Sequence, residues 1–142
     1  MTRRQLLWAL APAEPAPAEL AWTPMFDGSS LGAWKPAAFP GQGPVAVRDG
    51  AIVLDRGDRM TGIVWTQPFP SVNYELRFEA ARLSGHDFFA GLIFPVQQSF
   101  CSWICGGWDC STVGLSNVDG YDSSENETSI NRDYQPGRWY RF

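Results

Sequence analysis

Residues 74–80 read Tyr-Glu-Leu-Arg-Phe-Glu-Ala, and the period of that run is the strongest single constraint on the fold. Tyr74, Leu76, Phe78 and Ala80 fall on one side, and Glu75, Arg77 and Glu79 on the other. Only an extended chain sorts alternate side chains in this way; a helix would wrap both sets around its axis. Residues 73–83 are therefore expected to form a strand with one wet face, although Glu, Leu, Arg and Ala favour helix when taken singly. A dry face needs a second layer to cover it, and 142 residues supply one core but not comfortably two domains.

The other segments support the same class. In "VAVRDGAIVLDRG", 45–57, two short apolar runs flank Asp49-Gly50, which predicts a hairpin. Residues 62–69 predict a short strand ending before Pro70. "FFAGLIFPV", 88–96, is apolar on both faces, as in a covered central strand, and Pro95 is expected to mark its end. "SFCSWICGGW" reads as a strand ending at Gly106-Gly107, and "STVGLSNV" as another, closed by a turn at Asp119-Gly120. Residues 35–44 and the polar run 121–137 read as loops. "RWYRF", 138–142, has strand composition but no later hairpin partner, so the chain reads as cut short within its domain and as a poor independent folder. No segment has helical spacing long enough to require a helix, and no repeat is visible. Seven Trp, nine Phe, 14 Gly and 11 Pro fit this turn-rich, all-β reading in two layers.

Eleven basic and 15 acidic residues leave a formal charge of −4, which argues against nucleic acid as a partner. No stretch reaches the roughly 18 apolar residues of a membrane span. In residues 1–20, Arg3 and Arg4 precede the apolar run Leu6–Ala11. This segment reads as a disordered Ala/Pro leader or as a degenerate export signal of the twin-arginine kind, because its apolar run is short. A working signal would place the protein outside the cytoplasm, in the periplasm or secreted. Cys101, Cys105 and Cys110 match no strong zinc spacing and read as buried free thiols, with one disulfide open to an exported chain.

"WTPMFDGSSLGAW", 22–34, then "VAVRDGAIVL", "YELRFEAARL", a glycine-containing strand and "GRWYRF" occur in an order that resembles the 3-keto-disaccharide hydrolase domain family. The resemblance covers Trp22 to Phe142. It implies a concanavalin A-like (LamG-like) jelly-roll β-sandwich, of which residues 21–142 would form the N-terminal part. It also implies a secreted bacterial protein that processes keto-sugar glycosides by hydrolysis or elimination. The departures concern the site. In "GHDFFAGLIFPV" only Gly91 matches the family's glycine, and Phe94-Pro95 stands where Phe-Arg is expected. "CGGWDCSTVGLSNVDG" replaces the usual carboxylate-bearing strand. The fold therefore carries over, whereas the active site does not carry over residue by residue.

Within the opening motif, Phe26, Leu31 and Trp34 read as anchors packing this segment onto the sandwich, and Asp27-Gly28 as a turn. Sugar recognition needs a flat aromatic face and hydrogen-bonding side chains, which points to Trp108 with Asp109, and to Asp87, as substrate-binding residues. His86, the single histidine, is a natural base near neutral pH. Glu125 and Glu127 are the other candidate catalytic groups, since glycosidic cleavage uses carboxyl acid–base pairs. Asp119 and Asp122 are candidate ligands for a divalent cation such as Ca2+, although no EF-hand spacing is present. The alternatives are a solvated acidic loop, a non-catalytic carbohydrate-binding or scaffold sandwich, and an inactive fragment. Asn126-Glu127-Thr128 has the form of a glycosylation sequon.

Overall fold

The computed structural model describes residues 21–142, with the side chain of Asp109 excepted. The leader or export signal expected over residues 1–20 lies outside the described residues. Two compact units divide the chain, the first running to Thr66 and the second from Gln67 to Phe142. Their strands form four small antiparallel sheets, so the chain is essentially all-β.

In the first unit, β1 (Trp34–Pro36) pairs with β4 (Ile63–Trp65), and β2 (Val45–Arg48) with β3 (Ala51–Leu54). The β2–β3 hairpin is the one its Asp-Gly turn predicts. Asp49 and Gly50 have φ of 50° and 77°, the left-handed pair that a two-residue turn requires. Arg48 and Asp55 close it with an exposed ion pair at 2.8 Å. The expected loop over 35–44 begins as β1 instead, because Trp34 is held from two sides. Its ring lies edge-on to Trp65 at 5.1 Å, and its Nε1 donates to Met25 O at 2.8 Å. The turn at Asp27 is as expected: Oδ1 accepts from the Ser29 and Ser30 amides at 2.7 and 2.8 Å, and Ser30 Oγ donates to Oδ2. Those donors hold the Asp27 carboxyl well below the usual carboxylate range.

The second unit holds a four-stranded sheet in the order β6 (Ala90–Val96), β7 (Ser99–Gly107), β8 (Thr112–Ser116), β9 (Ile130–Asn131). A short helix, α1 (Trp108–Ser111), connects β7 to β8, where no helix was expected. A two-stranded sheet pairs β5 (Glu79–Ala80) with β10 (Tyr140–Arg141). The alternation over 74–80 appears in burial: Tyr74, Leu76, Phe78 and Ala80 are half-buried, and Glu75, Arg77 and Glu79 exposed. The ladder is shorter than expected because a strand exists only where a neighbour bonds to it. That neighbour is the "RWYRF" segment itself, which corrects the expectation that it lacks a partner. Phe142 and Phe78 also exchange backbone hydrogen bonds at 2.9 and 3.0 Å.

Three further expectations need correction. β6 is an edge strand rather than a covered central one, with Ile93 69% exposed. Pro95 lies within it rather than ending it, as an edge strand allows. The polar run 121–137 contains β9, whose two residues complete the sheet beside Thr112 and Val113. The two sheets of this unit meet through aromatic rings: Phe78 and Phe142 contact Trp103 of β7 at 6.0 and 5.1 Å. Beside them Cys105, Val113 and Tyr134 are buried. All three cysteines are free thiols, and Cys105 alone is fully buried.

Candidate functional site

A shallow concavity of the second unit, about 650 Å³, is lined by Ser71, Val96, Gln97, Gln98 and Ser99. None of these is a base, acid or nucleophile suited to glycoside cleavage, so volume does not locate the chemistry. The sequence-derived candidates divide instead between two places.

At the first, the segment 82–89 meets the end of β7 and α1. Gly106 makes this approach possible. It has φ of 62°, and a Cβ there would lie 2.8 Å from Phe89 Cβ. At Gly107 a Cβ would come within 3.0 Å of the Phe88 ring. Phe88 then lies against Trp108, with ring centroids 5.4 Å apart. Cys110 of α1 donates its thiol hydrogen to His86 O and reaches Asp87 O at 3.9 Å. On the other side, Arg82 Nη1 donates to Asp87 O and Nη2 to Tyr134 O, both at 3.2 Å. Asp87 Oδ1 accepts from the Phe88 amide at 2.9 Å. The His86 and Asp87 carbonyls are thereby tied to α1 through Cys110, and Trp108, 22 residues beyond His86, meets the same segment through Phe88. His86 and Asp87 are exposed, and Trp108 is 39% exposed. The side chain of Asp109 lies outside the described residues.

The second place is the loop after β8. Val118 and Tyr121 bridge across Asp119-Gly120, the expected turn, with Asp119 at φ 51°. Asp122 Oδ1 accepts from Ser124 N at 2.8 Å and Ser124 Oγ at 2.6 Å. Asn126 Nδ2 donates to the carbonyls of Leu115, Tyr121 and Asp122, while its Oδ1 accepts from Thr128 N and Oγ1. The sequon asparagine is thus a knot in the loop, with its amide fully engaged. Glu125 and Glu127 are exposed beside it. Among the described residues no group of three or more His, Cys, Asp or Glu side chains converges, and Asp122 Oδ1 is engaged within its own loop.

A second concavity, of about 170 Å³, was missed from the sequence. It lies beside the core, and four of its lining residues are aromatic: Trp103, Tyr134, Tyr140 and Phe142. Burial, and next a hydrogen bond with Cys105, push the Tyr134 hydroxyl well above its ordinary range; burial likewise raises the Cys105 thiol. The available signal was Tyr134 itself, a large aromatic inside the polar run 121–137.

Among the described residues, no helix is long and apolar enough to cross a membrane. A family model described as a 3-keto-alpha-glucoside-1,2-lyase-like domain matches residues 21–142. No curated protein and no solved structure matches the chain.

Proposed function

The chain belongs to the 3-keto-alpha-glucoside-1,2-lyase-like domain family, and on that premise we propose that it cleaves keto-sugar glycosides by elimination where His86, Asp87 and Trp108 meet. The observation that supports this reading is the Cys110 thiol, which ties α1 to the His86-Asp87 peptides, with the Phe88 ring against Trp108. A ketone at C3 acidifies the proton on C2. The His86 imidazole takes that proton, and the electron pair passes to the C3 oxygen as an enolate. Its collapse forms the C1–C2 double bond and breaks the C1–O bond, and the departing oxygen recovers the proton from imidazolium. Trp108 stacks on the apolar face of the ring, and Asp87 accepts hydrogen bonds from hydroxyls. Glu125 and Glu127 are the competing bases in this reading, and Asp119 shapes the neighbouring turn. Family membership supports a concanavalin A-like jelly roll as the fold these sheets belong to. Export to the periplasm or medium belongs to the same reading and rests on Arg3-Arg4 and the apolar run after them.

A product assay on 3-keto-glucosides tests this. His86→Ala should lower kcat by about 100-fold or more, the usual contribution of a general base. Trp108→Ala should act chiefly on KM. Glu125→Ala/Glu127→Ala should leave turnover intact. An inert wild-type chain, assayed beside an active family member, would sink the lyase reading. Full activity in His86→Ala would move the base elsewhere. The exposed Trp108 also suits a domain that binds glycans without turning them over, and binding of the same sugars without product would favour that second reading.

A further inference from the structure

We infer that the 170 Å³ concavity beside the core is a binding site for a single carboxylated sugar ring, a uronate, separate from the residues assigned to cleavage. Three observations carry this. The first is the aromatic floor. Trp103, Tyr140 and Phe142 are half-buried, so each keeps part of its ring surface for pyranose C–H groups, while Tyr134 is buried behind them against Phe89 at 5.0 Å. The second is charge. The chain is net negative, yet the lining of this concavity contains Arg132 and Arg141 and no acidic residue. Arg141 is paired with Glu79, its Nε and Nη2 at 2.9 and 2.7 Å from a single Oε1, and that pair is solvent-exposed. The side chain of Arg132 makes no such pair among the described residues, so one guanidinium at the rim remains for a carboxylate. The third is a spare donor. Tyr140 Oη accepts the Gln135 amide at 2.9 Å, which leaves its own hydrogen free to reach a ligand oxygen. The volume falls below that of drug-sized pockets, roughly 300 Å³ and upward, and suits one ring rather than an oligosaccharide.

The test is calorimetric titration of the full chain with methyl glucuronide, methyl glucoside and acetate, repeated at raised salt. The glucuronide should bind at least tenfold more tightly than the neutral glucoside or acetate, and more weakly as salt rises. Arg132→Gln should lose about tenfold of glucuronide affinity, the scale of one charge-assisted hydrogen bond. Arg132→Lys should recover part of it. Arg132 is exposed, so both variants should melt as the wild type does, and a melting curve run in parallel confirms it. Equal binding of the glucoside or of acetate, or an unchanged glucuronide affinity in Arg132→Gln, overturns the inference. These sugars carry no ketone, so the result does not depend on whether the chain cleaves 3-keto-glucosides.

Discussion

Tyr134 and Cys105 form a buried pair of weak acids, and their chemistry sets a sign for stability against pH. Burial favours the neutral form of each, so both ionise less readily folded than unfolded. In the unfolded chain they titrate near the ordinary 9.0 of a thiol and 10.0 of a phenol. Their contribution is therefore complete below the thiol value and is lost as pH rises towards the raised folded values. Thermal melts should show a plateau up to that point and a decline above it, and Tyr134→Phe should make the decline shallower. An equally steep decline in the variant would show that the phenol does not carry the effect. Asp27 has the opposite sign. Its folded value lies below the ordinary 3.8, so what it contributes is present above that value and fades as pH falls through and beyond it. Amide exchange at Ser29 and Ser30 should speed up in Asp27→Ala even near neutral pH, since both amides lose their acceptor; unchanged protection would refute the turn. His86, Asp87 and Trp108 were readable as residue types that suit sugar chemistry. The tie between α1 and the His86-Asp87 peptides was not, because it depends on a thiol reaching a carbonyl 24 residues away in sequence.

Among the elements, those legible in the sequence were local. Asp49-Gly50 and Asp119-Gly120 announce their turns, and the register of β2 with β3 follows from the first of them. β1 with β4 and β5 with β10 were not legible as pairs, because their partners lie far along the chain and no turn residue encodes the match. α1 escaped notice because it has four residues, two of which, Trp108 and Cys110, have positive φ without being glycine. Two glycine substitutions separate backbone preference from crowding. Gly50→Ala meets no atom within 4 Å and should cost about 1–2 kcal/mol through its left-handed φ alone. Gly106→Ala adds a collision with Phe89 to the same backbone penalty, and should cost about 3 kcal/mol or more. Urea midpoints measure both, and equal shifts would mean that Phe89 does not press on Gly106. Phe142→Ala tests the β5–β10 sheet. It removes ring contacts with Phe78, Phe89, Trp103 and Tyr134, and should cost about 2 kcal/mol.

At the scale of the molecule, the described core is small for the number of aromatic residues. Phe100 and Ile93 lie on the same outer face of the four-stranded sheet, 72% and 69% exposed. A hydrophobic reporter dye should therefore bind the native protein, and Ile93→Thr/Phe100→Thr should reduce the signal while leaving the melting temperature nearly unchanged. The same dye signal in that variant would place the apolar surface elsewhere. The all-β class was readable from the alternation at 74–80; the division into two units was not, because no linker-like run of Gly, Ser or charge marks residue 66. The connection from β7 to β8 has a consequence of another kind. Gly107 pairs with Thr112, so the four residues of α1 leave and re-enter the sheet at adjacent points, and the register shift between Cys105 and Gly107 is confined to that end. Loop closure cost grows only slowly with length. The segment is therefore an exchangeable cassette: a lineage, or an engineer, can lengthen or rewrite the stretch that carries Trp108 while the ladder beneath it stays in place.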